Sequence, residues 1–481
     1  MKGGVFPASA HEDALDKLTM LVQQHSEELA RALSSPVSDT SIGELPLKSA
    51  LANKVLGFDV NGDPIAAVGI TNSVSAFIAT LIDDAKAIEA RATLGIDGAS
   101  GNIASGDIAT DAVTTLKLFA GAVTTAKIAA EVFKAGNNVI INGNFDVWQR
   151  GTSFATPVNA DYLADRWSIS TVGAGAVTVS QETVSLPDGL SARCLEVDIT
   201  TADATLAAGD LYALHHKIEW YDAQRFGLGT ADATEMTLSF WIAATKTGTH
   251  SVAFRNGAGT IVYPATFTVN ADDTWEYKTI TITGDTAAAW LHDDNTDLEI
   301  TFCLAAGSTY LAAADAWANT GARGATGQVN NYDSTANFYR LARVQLEVGG
   351  DATPFEYKSF AQALALCQRY YCKTFKYATV PGDSKGNPGS LSSAGTTAAG
   401  GNLAPSANFT FPVTMRGVPT ITTYNWSAGT AAQWENSAGS AAGANARVGF
   451  VGETGCVIDN TGATLTGTNQ WLIHADADAE L

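Results

Sequence analysis

Long apolar runs, a basic surface and paired cysteines are what this sequence does not have. No stretch approaches the about 18 consecutive apolar residues of a membrane-spanning helix, so no membrane insertion is expected. Lysine and arginine number 28 against 49 aspartates and glutamates, for a net charge of −21. Nucleic-acid binding demands a basic stripe, so no nucleic-acid partner is expected, and anionic lipid heads are disfavoured for the same reason. The five cysteines (Cys194, Cys303, Cys367, Cys372, Cys456) are scattered, odd in number and free of any CxxC. Neither a zinc site nor a disulfide framework is expected; they read as reduced, buried thiols of a chain made in a cytoplasm. The opening residues lack the apolar segment of a secretory signal. HExxH, Walker A, GxSxG and GxGxxG are absent, so no catalytic residue, cofactor or metal is expected from motifs.

Charged residues make up only 16% of the 481, while Gly, Ala, Thr, Ser and Asn abound, which favours β-structure with many turns over long helices. The length exceeds one ordinary core and predicts several units. Residues 1–10 read as an arm and 11–34 as a helix. Leu15, Leu18, Val22, His25, Leu29 and Ala32 are spaced 3, 4, 3, 4 and 3 apart, an a/d seam that needs partner helices. Residues 35–136 read as a shaft. It holds a hairpin at Asn61-Gly62, a helical stretch over 72–94, and a ten-residue repeat in which AVTT at 112–115 recurs at 122–125. Repeat units that short close a core only when copies wind about a symmetry axis.

Residues 137–357 alternate β-rich runs with polar turns, opening with Asn137–Trp167: an apolar strand, an Asn-Gly turn and a second, aromatic strand. TLSFWIAA (237–244) and TWEYKTITIT (274–283) alternate as strands with one buried face. Antiparallel strands without intervening helices predict a jelly-roll β-sandwich. Trp148, Trp167, Phe240, Trp241 and Trp275 lie in strand patterns and read as its core. Residues 358–374 read as a connecting helix packed against neighbouring subunits, and 375–481 as a second β-sandwich, the tip. The fold class is thus mainly β, with a coiled-coil and β-repeat shaft ahead of two sandwiches.

INGNFDVWQRGTSF (141–154) with ADRW (164–167), VQLEVGGDATPFEYK (344–358), ALCQRYY (365–371) and FTFPVTMRGVPTIT (409–422) together resemble bacteriophage tail fibre subunits. LPLKSALANKVLGFD (45–59), ARATLGI (90–96) and AVTTAKI (122–128) are similar to segments of their shafts. The resemblance implies a homotrimeric virion appendage. Its N-terminal region would dock on a tail or baseplate protein, and its C-terminal region would meet a bacterial surface glycan or protein. The jelly-roll module of such chains is similar to carbohydrate-binding domains. Those often hold a structural calcium between first and last strands, for which Asp146 and Glu347 are the ligands this chain offers. Leu341-Ala342-Arg343 stands where such modules commonly carry paired aspartates. A tailspike-type polysaccharide depolymerase and a purely structural tail connector are the alternatives. Depolymerases of that kind usually carry a parallel β-helix, whose stacked coils leave no trace between residues 137 and 481.

Sugar binding needs exposed aromatic faces beside amides or carboxylates. Tyr424, Trp426, Trp434, Glu435 and Asn436, in loops of small polar residues, are the first candidates; Trp290, Tyr310, Trp317 and Tyr332 are a second set. His215 and His216, being adjacent on a strand, point to opposite faces and cannot share a site. His474, Asp476, Asp478 and Glu480 alternate on one face, read as solvated. His292–Asp297 reads as a hydrated turn, because Leu298 and Leu304 stand where a calcium loop needs Gly and Glu.

Overall fold

The computed structural model describes residues 8–32, 46–67 apart from 48, 51 and 53, 138–382 apart from 288, then 386, 388–393, 405–437, 444–460 and 470–481. The chain divides into two compact units, Met1–Thr124 and Thr125–Leu481. Among the described residues no helix is long and apolar enough to cross a membrane. All five cysteines are free and buried.

In the first unit, α1 spans Ala8–Ala32. Every described side chain from 12 to 25 is exposed on it, Leu15, Leu18, Val22 and His25 among them. The side chains of Leu29 and Ala32 lie outside the described residues, as do the 72–94 stretch and the ten-residue repeats. β1 (Val55–Phe58) pairs antiparallel with β2 (Pro64–Ala67), Phe58 opposite Pro64. The two-residue hairpin expected at Asn61-Gly62 is instead a longer loop. The Asp59 carboxylate accepts hydrogen bonds from the Asn61 and Asp63 N–H groups, a local Asx turn that widens the connection.

In the second unit, fourteen strands follow one another: β3 (Ser153–Ala155), β4 (Trp167–Val172), β5 (Ala176–Ser185), β6 (Ser191–Thr201), β7 (Leu211–Glu219), β8 (Met236–Ala244), β9 (Gly248–Asn256), β10 (Ile261–Val269), β11 (Glu276–Ile282), β12 (Thr296–Ala306), β13 (Leu311–Ala312), β14 (Ala318–Asn319), β15 (Gly324–Ala325) and β16 (Phe338–Val348). Twelve of them form two six-stranded sheets, β14-β10-β9-β12-β7-β4 and β11-β8-β16-β6-β5-β3. Successive strands cross between the sheets repeatedly, a β-sandwich consistent with a jelly roll. Its core lies between them, with Phe240, Phe267 and Phe302 meeting edge to face at 5.1 Å. The strands expected over 176–181, 194–199, 235–243, 250–255, 274–283, 298–304 and 337–347 are all present. β4, β7 and β10 were not legible: β7 is buried on both faces and shows no alternation, and β10 carries Pro264.

The opening stretch departs from its expected strand–turn–strand form. Asn142 and Phe145 take left-handed φ values of 59° and 54°, and residues 138–148 form turns and extended segments rather than strands. They fasten onto the last strand of the sandwich: Val139 N–H donates to Leu346 O and Val344 N–H to Gly143 O. A Cβ on Gly143 would lie 2.0 Å from Val344 O, so only glycine fits this close approach.

α2 (Trp220–Ala223) is a single turn after β7, and α3 (Phe360–Gln368) follows the sandwich. Ser359 and Gln362 close a capping box at the start of α3. Its Ala363 and Cys367 pack with Ile141, Val147 and Tyr370 of the same chain, so this face is filled internally rather than by a neighbouring subunit. Beyond it lie β17 (Tyr371–Lys373), β18 (Leu391–Ser393), β19 (Ala407–Thr410), β20 (Thr420–Tyr424), β21 (Gln433–Asn436), β22 (Ala444–Gly452), β23 (Gly455–Asn460) and β24 (Trp471–Asp478). They form one sheet system around β24, which pairs with β17, β18, β20 and β21.

The face expected to be solvated is an internal seam. His474 and Asp476 are buried; Asp478 and Glu480 pair with Arg150, and Glu480 also with Arg166. The two guanidinium groups stack on Tyr371 and Tyr370, at 3.6 and 3.5 Å from the ring centroids. The tip strand thereby closes onto the WQR segment of the opening stretch.

His216 and His250 are buried neutral. Burial lowers the first to about 3, helped by nearby Arg166, and the second to about 4. The unfolded imidazoles take up protons below about pH 6.5, where the folded ones do not, so stability falls as pH drops from there. At pH 4 each accounts for a loss of roughly 3 kcal/mol. Burial acts in the opposite direction on Asp165 and Asp476, whose raised values make protonation easier in the folded state. Urea unfolding should show midpoints lower at pH 4.5 than at 6.5; equal midpoints would contradict the buried-neutral assignment.

Candidate functional site

The tip residues singled out by sequence come together but are not open. Trp434 is fully buried in the second core, its indole N–H donating to Asp459 O at 3.1 Å. Glu435 and Asn436 are buried too, and Glu435 accepts from the Ser427 N–H at 3.1 Å and its hydroxyl at 2.5 Å. Trp426, half-buried, donates to Asn436 O, and the Tyr424 hydroxyl donates to Asp476 at 3.1 Å. Small neighbours in sequence did not mean exposure: Trp434 sits on β21, whose pairing turns the ring inward. In the second set, Trp290 and Tyr332 are core, the latter stacked on Tyr212 at 3.8 Å, while Tyr310 and Trp317 are half-buried.

The open aromatic surface lies elsewhere, on the outer face of the β11-β8-β16 sheet. Along β8, Met236, Leu238, Phe240 and Ile242 face the core, so Thr237, Ser239 and Trp241 face outward. Trp241 and Trp275, expected in the core, are half-buried on this outer face with Leu186, Cys194 and Ala342. Tyr277 is the direct cross-strand partner of Trp241, the ring centroids 5.4 Å apart, and is 45% exposed.

The opposite wall comes from the segment after β16. Gln345 and Glu347 hold it: the Glu347 carboxylate accepts from Thr353 N–H at 2.8 Å and its hydroxyl at 2.6 Å, and Glu356 N–H donates to the Gln345 amide oxygen at 2.8 Å. That turn presents Phe355 and Tyr357, edge to face at 5.1 Å, with Tyr357 56% exposed. Between the walls stands Arg343. The register of β16 against β8 shifts between Ala342 and Gln345, and Arg343 has φ 48°, a bulge that re-aims its side chain. Its guanidinium lies 5.3 Å from the Tyr357 ring centroid and pairs with Asp188. Burial pushes the Asp188 carboxyl up, but the Leu190 N–H and Arg343 outweigh it and hold it below the usual carboxylate range. Arg343 Nε and Nη2 have no acceptor among the described residues. The groove has a volume of about 480 Å³. Two aromatic walls on either side of the groove suit a polyhydroxylated ligand, with ring faces against its C–H surfaces.

Two signals in the sequence could have found this groove: odd-numbered phase along β8, opposite Phe240, and the aromatic pair in PFEY after the last strand. Glu347, the calcium ligand implied by the resemblance, is committed to the 353 turn, and Asp146 accepts from the Asn144 amide at 2.8 Å. Among the described residues no group of three or more His, Cys, Asp or Glu could hold a metal.

No protein-family model and no curated protein matches the chain. Among solved structures it is similar to the enzymatically active domain of a tailspike protein from bacteriophage CBA120, at 13% identity and a TM-score of 0.25 over 45% of this chain. That match takes in 22% of the tailspike chain, so this chain corresponds to about a fifth of it. It is also similar to a CBM4 structure, at 17% identity and a TM-score of 0.24 over 44% of this chain and 99% of the other. A family 11 carbohydrate-binding module from Clostridium thermocellum, in complex with a mixed-linked tetrasaccharide, matches at 14% identity and a TM-score of 0.20 over 42% of this chain and 99% of that one.

Proposed function

We propose that this chain is a subunit of a homotrimeric phage tail fibre that attaches to a bacterial surface glycan through the groove between Trp241–Tyr277 and Tyr357. The observation that carries the glycan assignment is the open aromatic groove with Arg343 at its floor; the tip candidates have their rings buried or their polar groups internally bonded. The a/d spacing along α1 and the resemblance of the quoted segments to tail fibres support the trimer and the virion location. Attachment at this groove needs no chemistry. Docking on a tail or baseplate protein falls to the N-terminal region in this reading.

A glycan array probed with the full chain tests the binding: selective retention of some glycans supports it, and retention of none removes it. Light scattering tests the assembly separately. The expected mass is roughly three times the 50.0 kDa of one chain, and a mass near 50.0 kDa contradicts the trimer.

A further inference from the structure

The outer face of the other sheet carries a second arrangement that the glycan groove does not use. β4 is the edge strand of that sheet, with β7 and then β12 beside it. Alternation places Ser170, His215 and Glu299 on the outer face of these three strands, since Ile169, Leu214 and Ile300 fill the core. The Ser170 Oγ lies 2.9 Å from His215 Nε2, and His215 Nδ1 lies 2.7 Å from Glu299 Oε1. Nδ1–H therefore donates to the carboxylate, and the Nε2 lone pair is left to accept the serine proton. The carboxylate is fixed in turn: Arg255 Nη1 is 2.9 Å from Glu299 Oε2, and the Thr301 hydroxyl is 3.2 Å from Oε1. His215 and Glu299 are buried, whereas Ser170 is half-exposed. All three line an open cavity of about 250 Å³, together with Asn159, Lys217 and Arg323. The Arg323 Nε and Nη1 are buried and have no acceptor among the described residues.

We propose that Ser170, His215 and Glu299 form a nucleophile, base and orienting carboxylate that hydrolyse short-chain carboxylic esters of polar alcohols. Geometry carries this: each hydrogen bond a serine hydrolase needs between nucleophile, base and orienter is present, beside a cavity and an unspent cation. Ser170 Oγ attacks the acyl carbon while its proton passes to His215 Nε2. The acyl C–O bond breaks, and the leaving alkoxide takes that proton. Water then attacks the acyl-serine, giving a proton to Nε2 that returns to Ser170 as the carboxylic acid departs. Arg323, which lines the same cavity, is the cation that would face the developing oxyanion. A polar, mixed-charge lining and a volume below that of drug-sized pockets set the substrate class. The proposal is independent of the aromatic groove and departs from the expectation of a chain without catalysis. That expectation searched for local motifs, whereas these residues come from three separated strands.

The test uses the full chain with two probes, p-nitrophenyl acetate and diisopropyl fluorophosphate. Expected are saturable nitrophenolate release above the buffer rate, a fall of at least about a hundredfold in Ser170→Ala, and phosphorylation located on Ser170 of the unsubstituted protein by peptide mass spectrometry. The labelling readout needs no variant to fold. No labelling at Ser170, no hydrolysis above buffer, or undiminished hydrolysis in Ser170→Ala would each overturn the proposal.

Discussion

Tyr277→Ala is expected to weaken glycan binding by about thirtyfold while leaving thermal unfolding almost unchanged. A ring at the centre of a recognition surface contributes about 2 kcal/mol when truncated to alanine, which is about thirtyfold in Kd. The stability side follows from exposure. Tyr277 is 45% exposed on β11, makes its main ring contact with Trp241, and has no hydrogen bond to lose from the core. Trp241→Ala should weaken binding at least as much, but it also opens the outer cluster around Leu186 and Cys194 and so lowers stability. Titration calorimetry against a glycan retained on the array separates the two effects. An unchanged Kd in both variants would remove the groove from the account.

The second large effect is on stability. Arg166→Met is expected to destabilise the second unit by about 3–5 kcal/mol, because it leaves a buried carboxylate short of its partner. Arg166 is buried, pairs with Glu480, donates to Lys217 O at 2.6 Å and stacks on Tyr370. Methionine keeps the apolar stem and removes only the guanidinium. Glu480 retains Arg150 at 3.3 Å, which holds the loss within that range. Adding Glu480→Gln to Arg166→Met should recover part of the loss, since the buried carboxylate left with one of its two cationic partners is then neutral. Urea unfolding of the single and double variants measures this, and additive losses would contradict a buried pair.

Much of the architecture was legible in period-2 patterns. β8 and β11 were read to within a residue or two because their residue types alternate, Leu238, Phe240 and Ile242 against Thr237, Ser239 and Trp241 in β8, although β8 itself is buried along nearly its whole length. β7 was not, because LYALHHKIE is buried on both faces and alternation has nothing to report. The same strand hid the His215 arrangement: periodicity says that His215 and His216 part company, but not that Ser170 and Glu299 arrive beside the first. Register between distant strands is a tertiary fact. The glycan site failed in the opposite way. Trp434, between small residues, suggested a loop ring, yet pairing with β22 and β24 makes it the centre of the second core. Trp241 in TLSFWIAA suggested core, yet its phase is opposite to Phe240 and places it outside. Phase, rather than neighbouring composition, carried the information. The charged row at the C-terminal end looked solvated for want of its partners, which lie more than 300 residues away at Arg150 and Arg166.

One glycan array, probed in parallel with the full chain, Tyr277→Ala and Trp426→Ala, tests the central claim most directly. The groove assignment predicts that Tyr277→Ala loses the retained glycans while Trp426→Ala keeps them. Loss in Trp426→Ala with retention in Tyr277→Ala would return the binding site to the tip and contradict the account.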